Sequence, residues 1–447
     1  MRDLLLAREK ENPDFDFCLK KGAVAFGRGL ARKMKCGFVL LDKEHGACRV
    51  VKKINNKLYT FDFTDFRGKT LEIDLLHRDF TINAMALELE KVFLGADLND
   101  LFIDPYGSRE DLRHKTIRAV NKKTFSEDAL RILRAFSFAS LLDFKIEAQT
   151  LRLAKLERER LTRVSWERIR DELFKIFDSP HAFGYLWELD RLKVLEIIFP
   201  EIKKMRGIGQ GPYHHLDAWQ HTLETVRQLE VLIVELRNNQ EIQGYLNGVI
   251  AGERRRRALL KLGAFLHDLG KPASLRHKDG KTTFHGHERI GLEITEKLGR
   301  RLKLSNDEIS SLKTTVLWHL RPGYLADNEE LTARAIFRYF RDTSQEAIGI
   351  LLLSIADQRA TKGPLTIAAS RIRHEEVVSA LIKEYFRRKK EKKTVRLLNG
   401  HDLLKRFKLT PSPLIGKILS EVEELQAIGQ IKTKKEAFKI AAGFIKK

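Results

Sequence analysis

Near Phe125 the apolar residues of this chain change their spacing, and that change limits the possible folds more than any other feature. Before it lie the β-type runs "CGFVLLD", "ACRVVKKI" and "KLYTFDF", separated by turns bearing Gly and Asn. After it, "SEDALRILRAFSFASLL" and "WERIRDELFKIF" place apolar residues three and four apart, the period of a helix. The expected fold class is multidomain α+β, with a small N-terminal α/β head followed by all-α segments. A chain of 447 residues exceeds what one core serves. The expected segments are a head over 1–96, a neck over 97–202, a helical body over 203–380 and a helical tail over 381–447. The Gly-rich stretch "RGIGQGPYHHLDAW" marks the start of the body, and "FRRKKEKKTVR", from Phe386, reads as a basic linker.

Charge narrows the partners. Lys and Arg outnumber Asp and Glu by 83 to 61, a formal excess of +22 that favours a polyanion, nucleic acid first among them. Cys18, Cys36 and Cys48 are odd in number and form no CxxC pair, which argues against a disulfide framework and for a reducing, cytoplasmic compartment. No apolar run approaches the roughly 18 residues that would span a bilayer, so no membrane partner is expected.

Asp14 and Asp16 flank one residue in "DFDF", so on a strand both carboxylates leave the same face and call for a cation between them. Asp62, an acid inside the apolar run "LYTFDFTDF", could complete a three-carboxylate Mg²⁺ site from a neighbouring strand. Taken singly, each also reads as a solvated residue.

Further along, "RDLL", "DFDF", "RDFTINAMAL", "DPYGSREDL" and "EDALRILR" occur in an order that resembles the class II tRNA nucleotidyltransferases, the CCA-adding family and its bacterial poly(A) polymerase relatives in the polymerase β superfamily. The resemblance implies that Asp14 and Asp16 hold Mg²⁺ with Asp62 as the third acid. It implies that Arg2, Arg78, Asp79 and Asn83 bind the nucleotide, and that Asp104, Gly107 and Asp111 form a hinge element in which Ser108 replaces a usual glycine. Asp128 and Arg131, three apart and expected on one helical face, would read the base edge as a protein template. Glu127 would support them, and Arg134 would extend the face towards phosphate.

A second set, His221, His267, Asp268, His287, His319 and Asp357, consists of ligand types that divalent metals accept. Its order resembles an HD-type metal-dependent phosphohydrolase domain, holding a divalent transition metal or Mg²⁺. Hydrolysis of phosphomonoesters or cyclic phosphates at RNA ends is the activity that follows.

Three departures from the family pattern stand out. The Gly-Gly lead-in before "RD" is missing, which reads as an N-terminal truncation. The stretch between Asp62 and His77 is short, as in enzymes that add only two cytidines. His77 replaces the first arginine of "RRD", removing a permanent charge. The resulting expectation is template-independent transfer of CMP, with AMP as a further substrate, from CTP and ATP to the 3′ end of tRNA. CC addition alone and poly(A) synthesis are rival polymerase readings. A hydrolase with an inactive head and a nonenzymatic RNA-binding protein are rivals of other classes.

Overall fold

The computed structural model describes residues 1–8, 12–95, 97, 101–278, 281–391 and 395–445. The chain forms two compact units, one of residues 1–176 and 188–198 and the other of residues 177–187 and 199–447.

The first unit opens with a helical turn, α1 (Arg2–Leu5), and a sheet of β1 (Asp14–Leu19), β2 (Gly37–Asp42), β3 (Ala47–Ile54) and β4 (Lys57–Asp65), with α2 (Ala23–Met34) between β1 and β2. The strand order is β1-β4-β3-β2, with β1 parallel to β4 and the other neighbours antiparallel. Alternation gives the sheet two unlike faces. One carries Phe17, Cys48, Val50, Phe61 and Phe63, which pack with Ala23 and Ala31 of α2. Phe17 stacks on Phe63, with ring centroids 5.1 Å apart. The other face carries Asp14, Asp16, Arg49 and Asp62.

Then come α3 (Leu71–Leu76) and, at and past the change of period, α4 (Thr124–Glu127), α5 (Arg131–Leu142) and α6 (Trp166–Asp178). The residue at the expected head–neck boundary, Ala96, lies outside the described residues.

The second unit is built on α7 (Ala218–Glu235), α8 (Arg256–Leu266), α9 (His287–Arg301), α10 (Asn306–Trp318), α11 (Ala333–Thr343), α12 (Ala347–Ala360), α13 (Ala368–Lys390) and α14 (Pro413–Ala427). Helix α12 is apolar nearly all round and buried, which makes it the central helix of this unit. The basic run expected to be a linker is corrected in its first part. Phe386–Lys390 continues α13 without a break, so the expected body–tail boundary at 380/381 falls inside a helix. The cause is local: Glu384 accepts from Arg387 at 2.7 Å and Arg388 at 2.6 Å, and the cations complement the helix C-terminus. Residues 392–394 of that run lie outside the described residues. Beyond it, Glu424 on α14 is 1% exposed and receives a two-pronged bond from Arg338 of α11 at 2.8 and 2.9 Å, with Arg334 at 2.6 Å.

Among the described residues, no helix is long and apolar enough to cross a membrane.

The head's packing sets a first test. A Cβ on Gly27 of α2 would lie 2.5 Å from Cys48 Sγ, so the helix approaches the sheet at a point where no side chain fits. Gly27→Val should lower head stability by about 1–3 kcal/mol through overpacking, read as a lower thermal midpoint. Adding Cys48→Ala should recover part of the loss.

Candidate active site and metal centre

The head site follows from strand register. Asp16 pairs with Asp62 across β1 and β4, and Asp14 stands two residues earlier on the same face. Ligand oxygens of Asp14, Asp16 and Asp62 all lie within 4.8 Å of one another. Although its surface is exposed, the protein packed around Asp16 partly desolvates its carboxyl and pushes it up, and the charges of Asp14 and Asp62 push it further while Arg78 opposes them. Such a set is relieved by a cation, and three hard oxygen donors fit Mg²⁺. Arg49, which sequence reading missed, stands opposite Asp62 on β3 and donates from Nε and Nη2 to its two oxygens, each at 2.7 Å.

The residues of the "HRDFTIN" motif form a bonded chain beside these acids. Arg2 Nη1 donates to Asn83 Oδ1 at 2.9 Å, and Asn83 Nδ2 donates to Asp79 Oδ1 at 2.9 Å. Arg134 Nη2 and Nε donate to Asp79 Oδ2 at 2.7 and 3.0 Å. Arg2 and Arg134 both sit against the Phe138 ring, 4.9 and 5.0 Å from its centroid. Burial alone would raise the Asp79 carboxyl. The Arg134 charge and the bonds from Asn83 and Phe80 N–H overcome it and hold Asp79 below its ordinary range. Arg78 is tied to the buried Asp74 at 2.9 Å. In the hinge element Gly107 takes a left-handed φ of 75°. Asp104 accepts from the backbone N–H groups of Ser108 and Arg109, and Asp111 accepts from Thr81 Oγ1 at 2.6 Å. Ser108 donates its hydroxyl to the Thr81 carbonyl.

The expectation that Asp128 and Arg131 share one helical face is corrected. Asp128 is extended, at φ −149° and ψ 106°, in the break between α4 and α5, and Arg131 is the first residue of α5. The aspartate causes the break: its Oδ1 accepts from Leu130 N–H at 3.1 Å, a local bond that competes with helix. Its Oδ2 accepts from Arg168 of α6 at 2.7 Å. Arg131 is held by the carbonyls of His77 and Thr124, at 2.6 and 3.1 Å, and by Glu127 at 3.3 Å. Glu127 in turn meets His77 Nδ1 at 3.2 Å.

In the second unit all six expected ligands converge, as two groups: His221, His267 and Asp357, then Asp268, His287 and His319, with ligand atoms in each group within 4.8 Å of one another. His267, His287 and His319 share one arrangement. Each Nδ1 donates to the carbonyl three residues back, on Ala264, Phe284 and Val316, at 2.7, 2.8 and 2.7 Å. That bond fixes the tautomer and turns the Nε2 lone pair towards the cluster, as metal ligands require. His267 Nε2 and Asp268 Oδ2 are buried without a well-directed hydrogen bond, so the donor set fits a metal. Gly270 lets the backbone carrying the doublet approach that of His287: a Cβ there would lie 2.0 Å from the His287 carbonyl oxygen.

Protein cations meet the buried acids meanwhile. Burial would depress His267, but Asp268 and Asp357 raise it to about 10, while burial and the neighbouring His267 and His287 bring His319 down to about 3. Lys271 Nζ lies 2.6 Å from Asp268 Oδ2 and donates to Gln210 at 2.6 Å. Sequence reading passed over Lys271, although "HDLGK" puts it one turn from the doublet. It also passed over His214, whose ring centroid lies 4.9 Å from that of His221.

Family signatures match along the chain: "Poly A polymerase head domain" at residues 1–118, "Probable RNA and SrmB- binding site of polymerase A" at 143–205 and "HD domain" at 218–362. An A-adding tRNA nucleotidyltransferase of Deinococcus radiodurans is 30% identical over 98% of this chain and 92% of its own. A CC-adding tRNA nucleotidyltransferase of Geobacter sulfurreducens is 31% identical over 98% and 88%. Among solved structures, a CCA-adding enzyme in complex with ATP covers 100% of this chain and 88% of its own, with a TM-score of 0.64 at 22% identity. The Thermotoga maritima CCA-adding enzyme complexed with tRNA aligns over 99% of this chain and 89% of its own, with a TM-score of 0.61 at 22% identity. At those identities the two structures establish a shared fold.

Asp79 supplies a stability test. Its folded pKa is depressed, so its contribution is present above the unfolded value near 3.8 and is lost as pH falls through the folded value. Asp79→Asn should cost about 3 kcal/mol at pH 7, because it removes the carboxylate that Arg134 grips and leaves only Glu172, 3.9 Å away, in close reach of the guanidinium. The gap between variant and wild type in denaturant melts should narrow below about pH 4.

Proposed function

Because this chain belongs to the class II tRNA nucleotidyltransferase family, we propose that its head transfers CMP and AMP from CTP and ATP to the 3′ end of tRNA, releasing pyrophosphate. The observation that carries this reading is the meeting of Asp14, Asp16 and Asp62 on the open face of the sheet. These carboxylates would hold Mg²⁺, which when bound neutralises the triphosphate and acidifies the attacking 3′ hydroxyl.

The chain's own residues do the positioning. Arg2, Arg78, Asp79 and Asn83 bind ribose and phosphates, and the bonded chain from Arg2 through Asn83 and Asp79 to Arg134 supports those residues acting as one rigid unit. Asp128 accepts from the exocyclic amine of cytosine or adenine while Arg131 donates to ring acceptors. Glu127 and the carbonyls of Thr124 and His77 hold the Arg131 guanidinium in place. Arg134 supplies positive charge at the phosphate side. Chemistry belongs to residues 1–96 and base selection to 97–202. The helices beyond 203, including a tail that begins after Lys390, track the tRNA backbone by phosphate contact and shape. A cytoplasmic site of action suits the free thiols Cys18, Cys36 and Cys48.

A second reading, addition of two cytidines only, is favoured by the connection from β4 to α3. It is compact and pinned: Arg67 N–H donates to Asp74 at 3.0 Å, and a Cβ on Gly68 would lie 2.2 Å from Ile73.

Transcripts ending before CCA or after CC, incubated with CTP and ATP singly and together and sized on a denaturing gel, test both readings. Growth by three with both nucleotides is the expected outcome. Growth by two with CTP alone and none with ATP would establish the second reading, and long ATP-only tails would replace both with poly(A) synthesis. Asp14→Ala with Asp16→Ala should abolish growth.

The second unit we assign to metal-dependent hydrolysis of phosphomonoesters or cyclic phosphates, with His221, His267, Asp268, His287, His319 and Asp357 holding a divalent metal. Four imidazoles among six donors favour a borderline transition metal over Mg²⁺. His267→Ala with Asp268→Ala should abolish metal-stimulated phosphate release and leave nucleotide addition intact. Equal release from wild type and variant would overturn the assignment.

A further inference from the structure

We propose that Arg49 is an internal counter-ion that competes with the divalent metal for Asp62 and so restrains metal binding in the head while no nucleotide is present. This rests on the polymerase reading of the head given above.

The geometry begins with register. Asp62 on β4 has Asp16 beside it on parallel β1 and Arg49 beside it on antiparallel β3, so all three side chains stand in one row across the open face. The guanidinium meets the carboxylate as a fork, Nε to Oδ1 and Nη2 to Oδ2, each at 2.7 Å. Both Asp62 oxygens are therefore engaged by a permanent cation, the strongest form of carboxylate pairing available to a side chain. Yet the same carboxylate lies within 4.8 Å of the ligand atoms of Asp14 and Asp16. One acid is thus claimed by two cations of different kinds, one built into the chain and one to be bound.

The charge count explains the consequence. Three carboxylates share one forked guanidinium here, an excess of acid over base that a divalent ion would offset. Without Arg49 the cluster would attract metal more strongly and a second ion more readily. A triphosphate brings its own negative charge and competes for the same guanidinium, so the restraint falls away when substrate arrives. The Arg49 side chain is 41% exposed, which leaves it room to turn towards an incoming anion.

Electron paramagnetic resonance titration of the full chain with Mn²⁺ tests this without relying on turnover. Asp14→Ala with Asp16→Ala serves as the blank and removes the contribution of the histidine-rich cluster. Arg49→Gln keeps length and polarity but removes the charge, and Arg49→Lys keeps the charge, with thermal midpoints confirming that each variant is folded. Without nucleotide, Arg49→Gln should bind head Mn²⁺ roughly three- to ten-fold more tightly than wild type, the effect of removing one nearby unit charge at a solvated site. Arg49→Lys should stay within about two-fold of wild type on the same grounds. In the presence of a non-hydrolysable CTP analogue, the advantage of Arg49→Gln should shrink. Equal or weaker Mn²⁺ binding by Arg49→Gln would overturn the proposal and make Arg49 a brace for Asp62. Unchanged Mn²⁺ binding by the Asp14/Asp16 blank would show that the head holds no metal, overturning the polymerase reading and the counter-ion role with it.

Discussion

Carboxylates gathered within a few ångströms of one another repel, and the fold stays intact only where a cation stands among them. Both units of this chain are organised around that constraint. In the head, Arg49 faces Asp62, Arg78 faces Asp74 and Arg134 faces Asp79. In the second unit, Asp268 and Asp357 push the His267 imidazole up to about 10, and Lys271 stands against Asp268. The protein thus supplies cations of its own beside the acids that gather at both candidate sites.

The pairing in the head also links motifs that are distant in sequence. Arg2 reaches Asn83, Asn83 reaches Asp79, and Asp79 holds Arg134, whose guanidinium lies 3.9 Å from Glu172. Glu172 accepts from Ser137 on the facing helix. The elements that would grip the triphosphate are continuous with the helices that would read the base. A change at Arg2 therefore acts on Arg134 through two intervening side chains, and the two should be strongly non-additive in double-mutant cycles.

Much of this was legible in the sequence, for physical reasons that differ by residue. The β-type runs "ACRVVKKI" and "KLYTFDF" announced strands, and the one-residue spacing in "DFDF" placed Asp14 and Asp16 on one face without knowledge of the partner strand. Arg49 was illegible because its role depends on the register between β3 and β4, a long-range property that no local pattern encodes. The helical face assumed for Asp128 and Arg131 failed because Asp128 bonds the backbone just ahead of it and ends one helix before the next begins. The basic run after Phe386 looked like a solvated linker, but Glu384 one turn back keeps it helical. The histidine cluster was legible from residue type and order. His214 was not, since its place beside His221 depends on how the Gly-rich loop closes.

The two candidate metal centres are built on opposite principles, and the contrast bears on how each would be used. Asp14 and Asp16 are exposed and Asp62 half-buried, all three offering hard oxygen, and an internal cation already contests one of them. That design suits an ion that comes and goes with a triphosphate. In the second unit five of the six donors are buried, four are imidazoles, and three of the rings are locked by bonds to their own backbone. Ligands held in that way lose little freedom on binding, and burial slows exchange with solvent, so an ion there would be resident. Brief dialysis against a chelator should therefore strip the head while leaving metal in the histidine cluster, because access and donor type, more than the number of ligands, set the rate of loss.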